Sequence, residues 1–404
     1  MTITIQRLGH QGDGIAEGPV YASRTLPGEV IDGEISGDRI AAPKIITPSP
    51  DRVTSPCRHY KSCGGCALQH ASDRFVVDWK RGVARNALAA QGIAADFCGI
   101  QTSPTQSRRR AVFSGRRTKK GALVGFHARG SETITEIPDC RLLHPDLLAV
   151  VPALRALTIF GASRKSEVRF TVTRSDAGMD VAVDGAKPVE GQMLMTLAAM
   201  ASEHGLARLT WDSEVVVESA APYQIFGKAR VIPPAGAFLQ ATEDGEKKLL
   251  SAISQTVTGA NRIADLFAGC GTFSLPLAEF AEVHAIEGSR QMLRALDQGW
   301  RQTEGLKRVT TETRDLFRRP LLPDELRQFD AVVIDPPRAG AEQQFHELAK
   351  AKPAIIASIS CNPISFARDA RILVNAGYKI GQVVVVDQFR WSTHVELVAA
   401  FTLK

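Results

Sequence analysis

The chain has 404 residues, a formal charge of +6 from 49 Lys and Arg against 43 Asp and Glu, and 44% hydrophobic residues, a composition that excludes disordered and fibrous proteins. A mean hydropathy of −0.06, with no apolar run of about 18 residues, excludes a membrane span. The length predicts roughly two to four domains. The first residues lack the pattern of a signal peptide, so we expect a cytoplasmic protein, with a monomer as the default.

The first 50 residues alternate apolar and polar side chains in short runs that Gly and Pro interrupt, as in ITIQRLGHQGDGIAEG. Short strands joined by tight turns are typical of small β-barrels. The sequence therefore predicts a barrel over residues 1–52. The Pro-rich segment KIITPSPDRVTSP leads out of it as a linker.

Seven cysteines, an odd number, argue against a disulfide framework. Three of them form a C-x5-C-x2-C pattern and a fourth follows in IPDCRLL: Cys57, Cys63, Cys66 and Cys140. The two glycines between the second and third cysteine allow the backbone to fold tightly around a shared ligand. Four thiolates suit either tetrahedral zinc or a 4Fe–4S cluster. A single C-x2-C knuckle with one distant partner favours the iron–sulfur cluster.

Residues 51–150 carry 16 basic and 8 acidic side chains, whereas the 254 residues after them are balanced. The excess is greatest in a segment without acidic residues, which contains Arg108, Arg109, Arg110, Arg116, Arg117, Lys119, Lys120 and Arg129. A concentrated basic patch on a nearly neutral protein predicts contact with the phosphates of a nucleic acid. A solvated pair of strands is the alternative.

A helix is predicted over roughly residues 72–91, and strand-type alternation at 107–137 and 167–183 is interspersed with helices near 145–157 and 193–205. These elements predict an α+β middle domain over residues 53–230. From about residue 262, apolar strands alternate with helices. That pattern predicts an α/β domain with a doubly wound sheet, over residues 231–404.

A strand, a Gly-rich turn and a helix follow one another in IADLFAGCGTFSLPLAEFA. Gly269 and Gly271 permit a sharp turn and the close approach of a ligand. The dinucleotide fingerprint fails because Ser274 stands where a third glycine is needed. Asp265 before G-x-G is typical instead of S-adenosylmethionine binding. Three further predicted strand ends carry acids: Glu287, which can accept both ribose hydroxyls of that cofactor, Asp315, which would lie beside the adenine, and Asp335, which ends the fourth strand.

The strand AIIASIS ends in Ser360-Cys361-Asn362-Pro363. Ligands of doubly wound sheets bind at the carboxyl ends of the strands, so Cys361 is expected to face the cofactor. Its place just before a helix start favours a thiolate. Because C5 of uracil is a poor nucleophile, a thiolate that adds to C6 makes an enolate able to attack a sulfonium methyl group. We predict that Cys361 is this nucleophile; a small buried apolar residue is the alternative.

A general base must then remove the C5 proton before the thiolate leaves. Glu396, in STHVELVAAFTL, is a lone carboxylate in an apolar final strand and is the predicted base. The alternative role for Glu396 is a structural partner of His394 or of a backbone amide. His394 itself is predicted to be structural.

The motifs DLFAGCGTFSLPLA, IEGS, DPPRAG, SCNP and HVELV together resemble the RNA (uracil-5-)-methyltransferase family. The order of the four cysteines resembles the iron–sulfur members of that family, and LGHQGDGIAEG…LPGE resembles the TRAM domain, an OB-like RNA-binding barrel. The resemblance covers nearly the whole chain. It implies a class I S-adenosylmethionine-dependent methyltransferase domain, preceded by a TRAM barrel and an α+β iron–sulfur domain.

The resemblance also implies roles for individual residues. It makes Cys361 the nucleophile and Glu396 the base, and it places Gln240, Phe267, Glu287 and Asp335 at the cofactor. Asp335 is in addition implied to orient the substrate ring. The chain departs from the family at two positions that often carry Asn, at Thr242 and at Thr272, of which we keep Thr272 as a predicted cofactor contact.

A TRAM barrel combined with a cluster resembles the enzymes of large-subunit ribosomal RNA, so 23S rRNA is the preferred substrate and tRNA the alternative. The target base must be extruded from its stack. RNA cytosine-C5 methylation is disfavoured because Pro336-Pro337 stands where those enzymes usually have Pro-Cys, and amino methylation because Arg338 replaces an aromatic residue. A non-catalytic RNA-binding iron–sulfur protein would have a damaged cofactor pocket, yet every expected carboxylate is present.

Overall fold

The computed structural model describes residues 2–403, which begin with a sheet of six short strands: β1 Thr2–Leu8, β2 Gly14–Ala16, β3 Val20–Ala22, β4 Val30–Asp32, β5 Arg39–Ile40 and β6 Lys44–Thr47. The strands lie in the order β5-β3-β2-β1-β4-β6 around a small core that includes Ile5 and Ile31. The predicted N-terminal β-domain is thus present. Its closure into a barrel is not confirmed, because no pairing within residues 2–403 joins β5 to β6.

Helix α1 (Asp73–Ala90) begins at Ser72, whose side chain accepts a hydrogen bond from the Phe75 amide, and ends at Gln91, as predicted. Its buried residues recur at helical spacing and pack against the helix that follows Cys361. Strand β7 (Gln101–Thr102) pairs with residues 386–387 of the C-terminal sheet. Both elements therefore support the C-terminal sheet, although they lie in the predicted middle domain.

The central sheet has seven strands in the order β10-β9-β8-β11-β12-β13-β14. Its elements, in chain order, are β8 Arg110–Arg117, β9 Ala122–His127, β10 Ile134–Thr135, α2 Pro145–Ala149, α3 Val151–Gly161, β11 Glu167–Ser175, β12 Gly178–Asp184, α4 Gln192–Glu203, β13 Leu206–Trp211 and β14 Glu214–Glu218. The helix predicted near 145–157 is two helices, because Pro152 lies in the first turn of α3 and cannot continue a helical ladder. A hairpin of β15 (Gln224–Phe226) and β16 (Ala229–Val231) follows.

The C-terminal region contains six helices and eight strands: α5 Glu243–Thr256, β17 Arg262–Leu266, α6 Ser274–Leu277, β18 Glu282–Glu287, α7 Arg290–Arg301, β19 Val309–Thr313, α8 Pro323–Leu326, β20 Ala331–Ile334, α9 Glu342–Ala351, β21 Ile355–Ser360, α10 Pro363–Asn375, β22 Lys379–Ile380, β23 Val384–Asp387 and β24 Glu396–Thr402. The sheet order is β19-β18-β17-β20-β21-β24-β23-β7, and β22 pairs with β24.

The five strands from β19 to β21 are parallel, and both faces of the sheet are covered by apolar cores. Chain order runs one way from β17 to β19 and the other way from β20 to β21, so the predicted doubly wound sheet is confirmed. The reversal between β17 and β20 creates a crevice at their carboxyl ends. Within residues 2–403, no helix combines the length and apolarity needed to cross a membrane.

Candidate active site

The carboxyl edge of the C-terminal sheet gathers most of the predicted site residues. Phe267 follows β17, Glu287 ends β18, Asp335 follows β20, and Cys361 follows β21. The amide nitrogen of Asp335 donates to the carbonyl of Leu266 (3.2 Å), which joins the ends of β17 and β20 at the crevice. Strand order alone thus brings together side chains from four separate stretches of sequence.

The Gly-rich turn after β17 requires an unusual backbone. Phe267 has a φ of +64° and Gly271 one of +93°, conformations that side chains with a Cβ rarely adopt. A Cβ on Gly271 would lie 2.8 Å from Cγ of Leu296, so only glycine fits there. The turn also holds Glu287, whose two carboxylate oxygens accept hydrogen bonds from the amides of Gly269 (3.1 Å) and Ser289 (2.9 Å).

Asp265 is buried at the end of β17 beside the Gly-rich turn. The hydroxyl of Ser274 donates to its Oδ2 at 2.5 Å, so the residue in place of the third glycine anchors this acid. Within the described chain, the Asp265 Oδ1 atom has no hydrogen-bond partner. Burial, together with the charges of Asp335 and Glu287, raises the pKa of Asp265 to about 7. The crevice therefore retains an unused acceptor.

Cys361 and Glu396 are neighbours across an antiparallel strand pair. Ser360 pairs with Leu397, so in the antiparallel register Cys361 lies opposite Glu396. Burial raises the pKa of the Cys361 thiol to about 11, and the charges of Glu396 and Asp335 add to this. Burial and the two carboxylates thus oppose the thiolate that the helix start is predicted to favour.

Two carboxyl groups near Cys361 are also shifted. Burial raises the pKa of Glu396 well above its ordinary value, and the charge of Asp335 adds to this, while a hydrogen bond from Gln388 lowers it. Burial raises the pKa of Asp335 to about 7. Three acidic groups thus lie close together, and negative charge on one opposes ionisation of the others.

The loop that carries Cys361 is fixed to the loop that carries Asp335. Asn362 caps α10 by accepting from the amide of Ile364 (3.1 Å), and its Nδ2 donates to the carbonyl of Arg338 (3.0 Å). The hydroxyl of Ser365 donates to the same carbonyl at 3.1 Å. These bonds hold the nucleophile candidate at a defined place relative to the predicted ring-orienting carboxylate.

Gln388 is a site residue that the sequence analysis missed. It is 1% exposed, its Nε2 donates to Oε1 of Gln240 (2.6 Å), and its Oε1 accepts from the amide of Ala241 (2.8 Å). Gln240 in turn donates from Nε2 to Asp335 at 3.4 Å. A lone amide just after the apolar run VVVVD was the available signal in the sequence.

Two predicted cofactor residues occupy other surroundings. Asp315 lies two residues beyond β19 and accepts hydrogen bonds from the amides of Phe317 (3.0 Å) and Arg318 (3.3 Å). Thr272 lines a cleft with Glu246 and Phe226, whose described lining includes none of the other predicted cofactor contacts. Their assignment to the cofactor stays a prediction.

The four predicted cluster cysteines come together beside the core of the central sheet. Cys57 and Cys140 are 8% exposed, Cys63 and Cys66 pack on the same core, and the charges of these thiols act on one another. Amides donate to two of the sulfurs, from Gly65 to Cys63 (3.3 Å) and from Leu142 to Cys140 (3.4 Å).

Gly64 brings this cysteine segment against strand β9. Its amide donates to the carbonyl of His127 at 2.9 Å, and a Cβ at Gly64 would lie 2.7 Å from that oxygen. Within residues 2–403, however, no group of three or more His, Cys, Asp or Glu side chains is arranged to hold a metal. The cluster itself is therefore not confirmed.

The basic segment divides into side chains with different surroundings. Arg109 is buried, donates to the carbonyl of Gln240 (3.1 Å) and pairs with Glu246, so its prediction as an RNA contact is wrong. Arg108 lies over the Phe389 ring, and Arg110 donates to the carbonyl of Gly236. The other members with a described partner are Arg116, which pairs with Glu167, and Arg129, which pairs with Asp13.

Arg117, Lys119 and Lys120 lie at the tip of the β8–β9 hairpin, and within residues 2–403 none of them forms an ion pair. Because Glu167 of β11 pairs with residue 116, the loop with Arg164 and Lys165 lies beside this tip. Those two residues were not predicted, because they are distant in the chain from residues 108–129. We call these five residues the basic tip.

The proteins that this chain resembles are RNA methyltransferases. A family profile described as tRNA (uracil-5-)-methyltransferase matches residues 233–402. A Rhizobium meliloti protein described as an uncharacterized RNA methyltransferase is 44% identical over 98% of both chains. The 23S rRNA (uracil(1939)-C(5))-methyltransferase RlmD of Shewanella piezotolerans is 31% identical over 100% of this chain and 96% of its own length.

The fold has a solved counterpart of the same extent. The tRNA (uracil-54, C5)-methyltransferase of Pyrococcus abyssi, solved with S-adenosyl-L-homocysteine, superimposes with a TM-score of 0.77 over 100% of this chain and 99% of its own, at 20% identity. That likeness establishes the α/β methyltransferase fold. Together with the full-length sequence similarities, it shows that the chain belongs to the RNA (uracil-5-)-methyltransferase family.

Proposed function

We propose that this protein methylates C5 of a uridine in RNA, with S-adenosylmethionine as the methyl donor. The observation that carries the proposal is the placement of Cys361 beside Glu396 at the carboxyl edge of the sheet, with Asp335 close enough for its charge to act on both. A nucleophile and a base are the two groups that C5 methylation of a uracil requires.

The crevice fits the cofactor. Each oxygen of Glu287 uses one acceptor position for a backbone amide and keeps a second for a ribose hydroxyl. The unpartnered oxygen of Asp265 and the glycine turn at Gly269 and Gly271 offer further polar contacts. Phe267, Gln240 and Asp335 complete the residues that would hold it. S-adenosylmethionine supplies an electrophilic methyl group when bound.

The proposed reaction begins when the thiol of Cys361, which is only partly buried, loses its proton to solvent water and its sulfur bonds to C6 of the uracil, while Glu396 stays ionised. The electron pair of the C5–C6 double bond moves into the ring carbonyl and makes C5 nucleophilic. C5 then accepts the methyl group, the electron pair of the broken S–CH3 bond stays on the donor sulfur so that S-adenosylhomocysteine leaves, and Glu396 removes the proton from C5. The released electron pair re-forms the C5–C6 double bond, the C6–S bond breaks, and Cys361 leaves as a thiolate.

The coupled charges of Cys361 and Glu396 suit a reaction in which the two groups act one after the other. Because negative charge on Glu396 raises the pKa of Cys361, the two groups hold one negative charge more readily than two. Glu396 is 4% exposed, so water does not compete with the C5 proton for its carboxylate. A raised pKa also makes Glu396 a stronger base once it is ionised.

The proposed substrate is 23S rRNA, which rests on the full-length similarity to RlmD. A tRNA substrate is the second candidate, because the solved counterpart of the fold acts on tRNA. Ribosomal RNA is a cytoplasmic substrate in bacteria, so we also propose a cytoplasmic location. Mapping of 5-methyluridine by mass spectrometry in rRNA and tRNA, before and after deletion of the gene, distinguishes the two substrates.

We also propose that Cys57, Cys63, Cys66 and Cys140 bind a 4Fe–4S cluster and that residues 1–52 form a TRAM barrel that contacts RNA. The convergence of four thiols and the amide donors to two sulfurs support the first part. The proposed division is a barrel over 1–52, a cluster-bearing domain over 53–230 and a catalytic domain over 231–404. The basic tip lies within the second of these.

The decisive test of the chemistry uses Glu396→Gln. The amide cannot accept the C5 proton, so the reaction should stop after methyl transfer with Cys361 still bonded to C6. We expect a covalent protein–RNA adduct on a denaturing gel, and none with Glu396→Gln/Cys361→Ala. Normal release of methylated RNA by Glu396→Gln would show that another group is the base.

A further inference from the structure

We propose that Gln388 is a positioning residue that fixes the orientation of Gln240 at the cofactor site and of Glu396 for removal of the C5 proton. The inference rests on the proposed function, whose base is Glu396. The side-chain amide of Gln388 is buried, its oxygen accepts from the amide of Ala241, and its nitrogen donates to Gln240.

The backbone N–H of Ala241 determines which way the side-chain amides of Gln388 and Gln240 are turned. The amide nitrogen of Ala241 can only donate, so the atom of Gln388 that faces it at 2.8 Å must be the oxygen. The nitrogen of Gln388 then faces Gln240, which must present its own oxygen at 2.6 Å. The NH2 group of Gln240 is consequently directed at Asp335, at 3.4 Å. One backbone amide thus orders two side-chain amides in series.

The amide of Gln388 also lies near the base. Val386 pairs with Glu396 across β23 and β24, so Gln388, two residues further, lies on the same face of the sheet. A hydrogen bond from Gln388 favours the ionised form of the Glu396 carboxyl group. It opposes the effect of burial and of Asp335, which acts on Glu396 from the end of β20, while Cys361 faces Glu396 from the end of β21.

Close packing keeps Gln388 in this arrangement. A Cβ on Gly245 would lie 2.6 Å from Cβ of Gln388 and 3.1 Å from its Oε1. Gly245 lies in the first turn of α5, where its amide donates to the Thr242 cap at 2.9 Å. The helix start therefore lies directly against the amide, and the small size of Gly245 leaves the space that Gln388 occupies.

The test uses the full chain with Gln388→Met, which keeps the length of the side chain and removes both donors and the acceptor. The matched control is Gln344→Met, because Gln344 is equally buried in the C-terminal region but bonds only to the backbone of Leu321 (2.8 and 3.2 Å). Folding of each variant is checked by circular dichroism. A second variant, Gln388→Glu, keeps the acceptor for Ala241 and adds a negative charge near Glu396.

We expect Gln388→Met to release methylated RNA about 10- to 100-fold more slowly, because misplacing a reacting group by about 1 Å can cost about 100-fold. The covalent Cys361–RNA adduct should accumulate in this variant and not in the control. Loss of the hydrogen bond raises the pKa of Glu396 further, so the rising limb of the pH–rate profile should move to higher pH. Gln388→Glu should move it further in the same direction.

An unchanged pH–rate profile and no adduct in both Gln388 variants would overturn the positioning role. A loss of stability shared equally by Gln388→Met and Gln344→Met, without the kinetic change, would have the same meaning. Failure of the unaltered protein to methylate uridine would instead overturn the proposed function, so the two failures are distinguishable.

Discussion

The ammonium nitrogen of Lys80 lies 2.6 Å from a carboxylate oxygen of Asp387, and neither side chain is more than 1% exposed. Lys80 also donates to the carbonyl of Phe389 (3.2 Å), and Asp387 accepts from the amide of the same residue (3.2 Å). The pair therefore ties helix α1 to the two residues that flank Gln388. A helix that precedes the central sheet thus supports the candidate active site.

Substitution Lys80→Met should destabilise the protein by about 3–5 kcal/mol, because it leaves the Asp387 carboxylate buried without its partner. The measurement is the free energy of unfolding in denaturant. The neighbouring control Arg81→Met removes a partly exposed pair with Asp78 and should cost less than about 1 kcal/mol. Equal losses in both variants would show that the buried pair has no special role.

Glu287→Gln should weaken binding of S-adenosylmethionine by about 10- to 100-fold, since a hydrogen bond to a charged group contributes about 1.5–3 kcal/mol. The uncharged amide is a weaker acceptor, and its NH2 group meets the backbone donors of Gly269 or Ser289. Titration calorimetry with the cofactor gives the affinity. Glu282→Gln, at the exposed start of the same strand, is the control. Wild-type affinity in Glu287→Gln would remove Glu287 from the cofactor site.

The basic tip should bind RNA phosphates at a distance from the chemistry. Strand β8 begins beside Gln240 and runs eight residues to Arg117, which spans roughly 25 Å at about 3.3 Å per residue. Arg117→Gln/Lys119→Gln/Lys120→Gln should weaken RNA binding and reduce the slope of log K against log salt by about one for each RNA phosphate that the variant no longer binds. The rate at saturating RNA should not change.

The control for this prediction neutralises three exposed side chains on or directly after helices of the C-terminal region, Arg301, Arg327 and Lys350. It produces the same change in net charge elsewhere on the surface. An equal change of the salt slope in both triple variants would show that net charge, and not the basic tip, determines RNA binding.

Anaerobically purified protein should contain about four irons per chain and absorb visible light as 4Fe–4S proteins do. Cys63→Ser should lower both the iron content and the thermal stability, because Cys63 and Cys66 pack on the central core. Cys98→Ser is the control, since Cys98 lies apart from the other thiols, with its sulfur bonded to the carbonyl of Val383. One zinc per chain instead of iron would contradict the cluster assignment.

The elements that the sequence predicted well have local causes. The start of α1 follows from the Ser72 cap, and β17 and β20 follow from apolar runs that contain or precede an acid. In any doubly wound sheet, the residues that follow the parallel strands meet at the carboxyl edge. The convergence of Glu287, Asp335 and Cys361 could therefore be inferred from the sequence.

The features that the sequence did not predict depend on long-range burial. Arg109 belongs to a basic run in the sequence, but its pairing with Glu246, 137 residues away, takes it into the interior. The expected thiolate of Cys361 depends on helix geometry, whereas the carboxylates that oppose it come from other strands. Gln388 was missed because the partners of its amide lie on β24 and before α5.

The central claim is that Cys361 forms the bond that activates uracil. The most direct test incubates the unaltered protein and Cys361→Ala with RNA and labelled S-adenosylmethionine, and quantifies 5-methyluridine by mass spectrometry, with Cys98→Ala as the control. We expect 5-methyluridine from the unaltered protein and the control and none from Cys361→Ala. Turnover by Cys361→Ala at the rate of the unaltered protein would contradict the account.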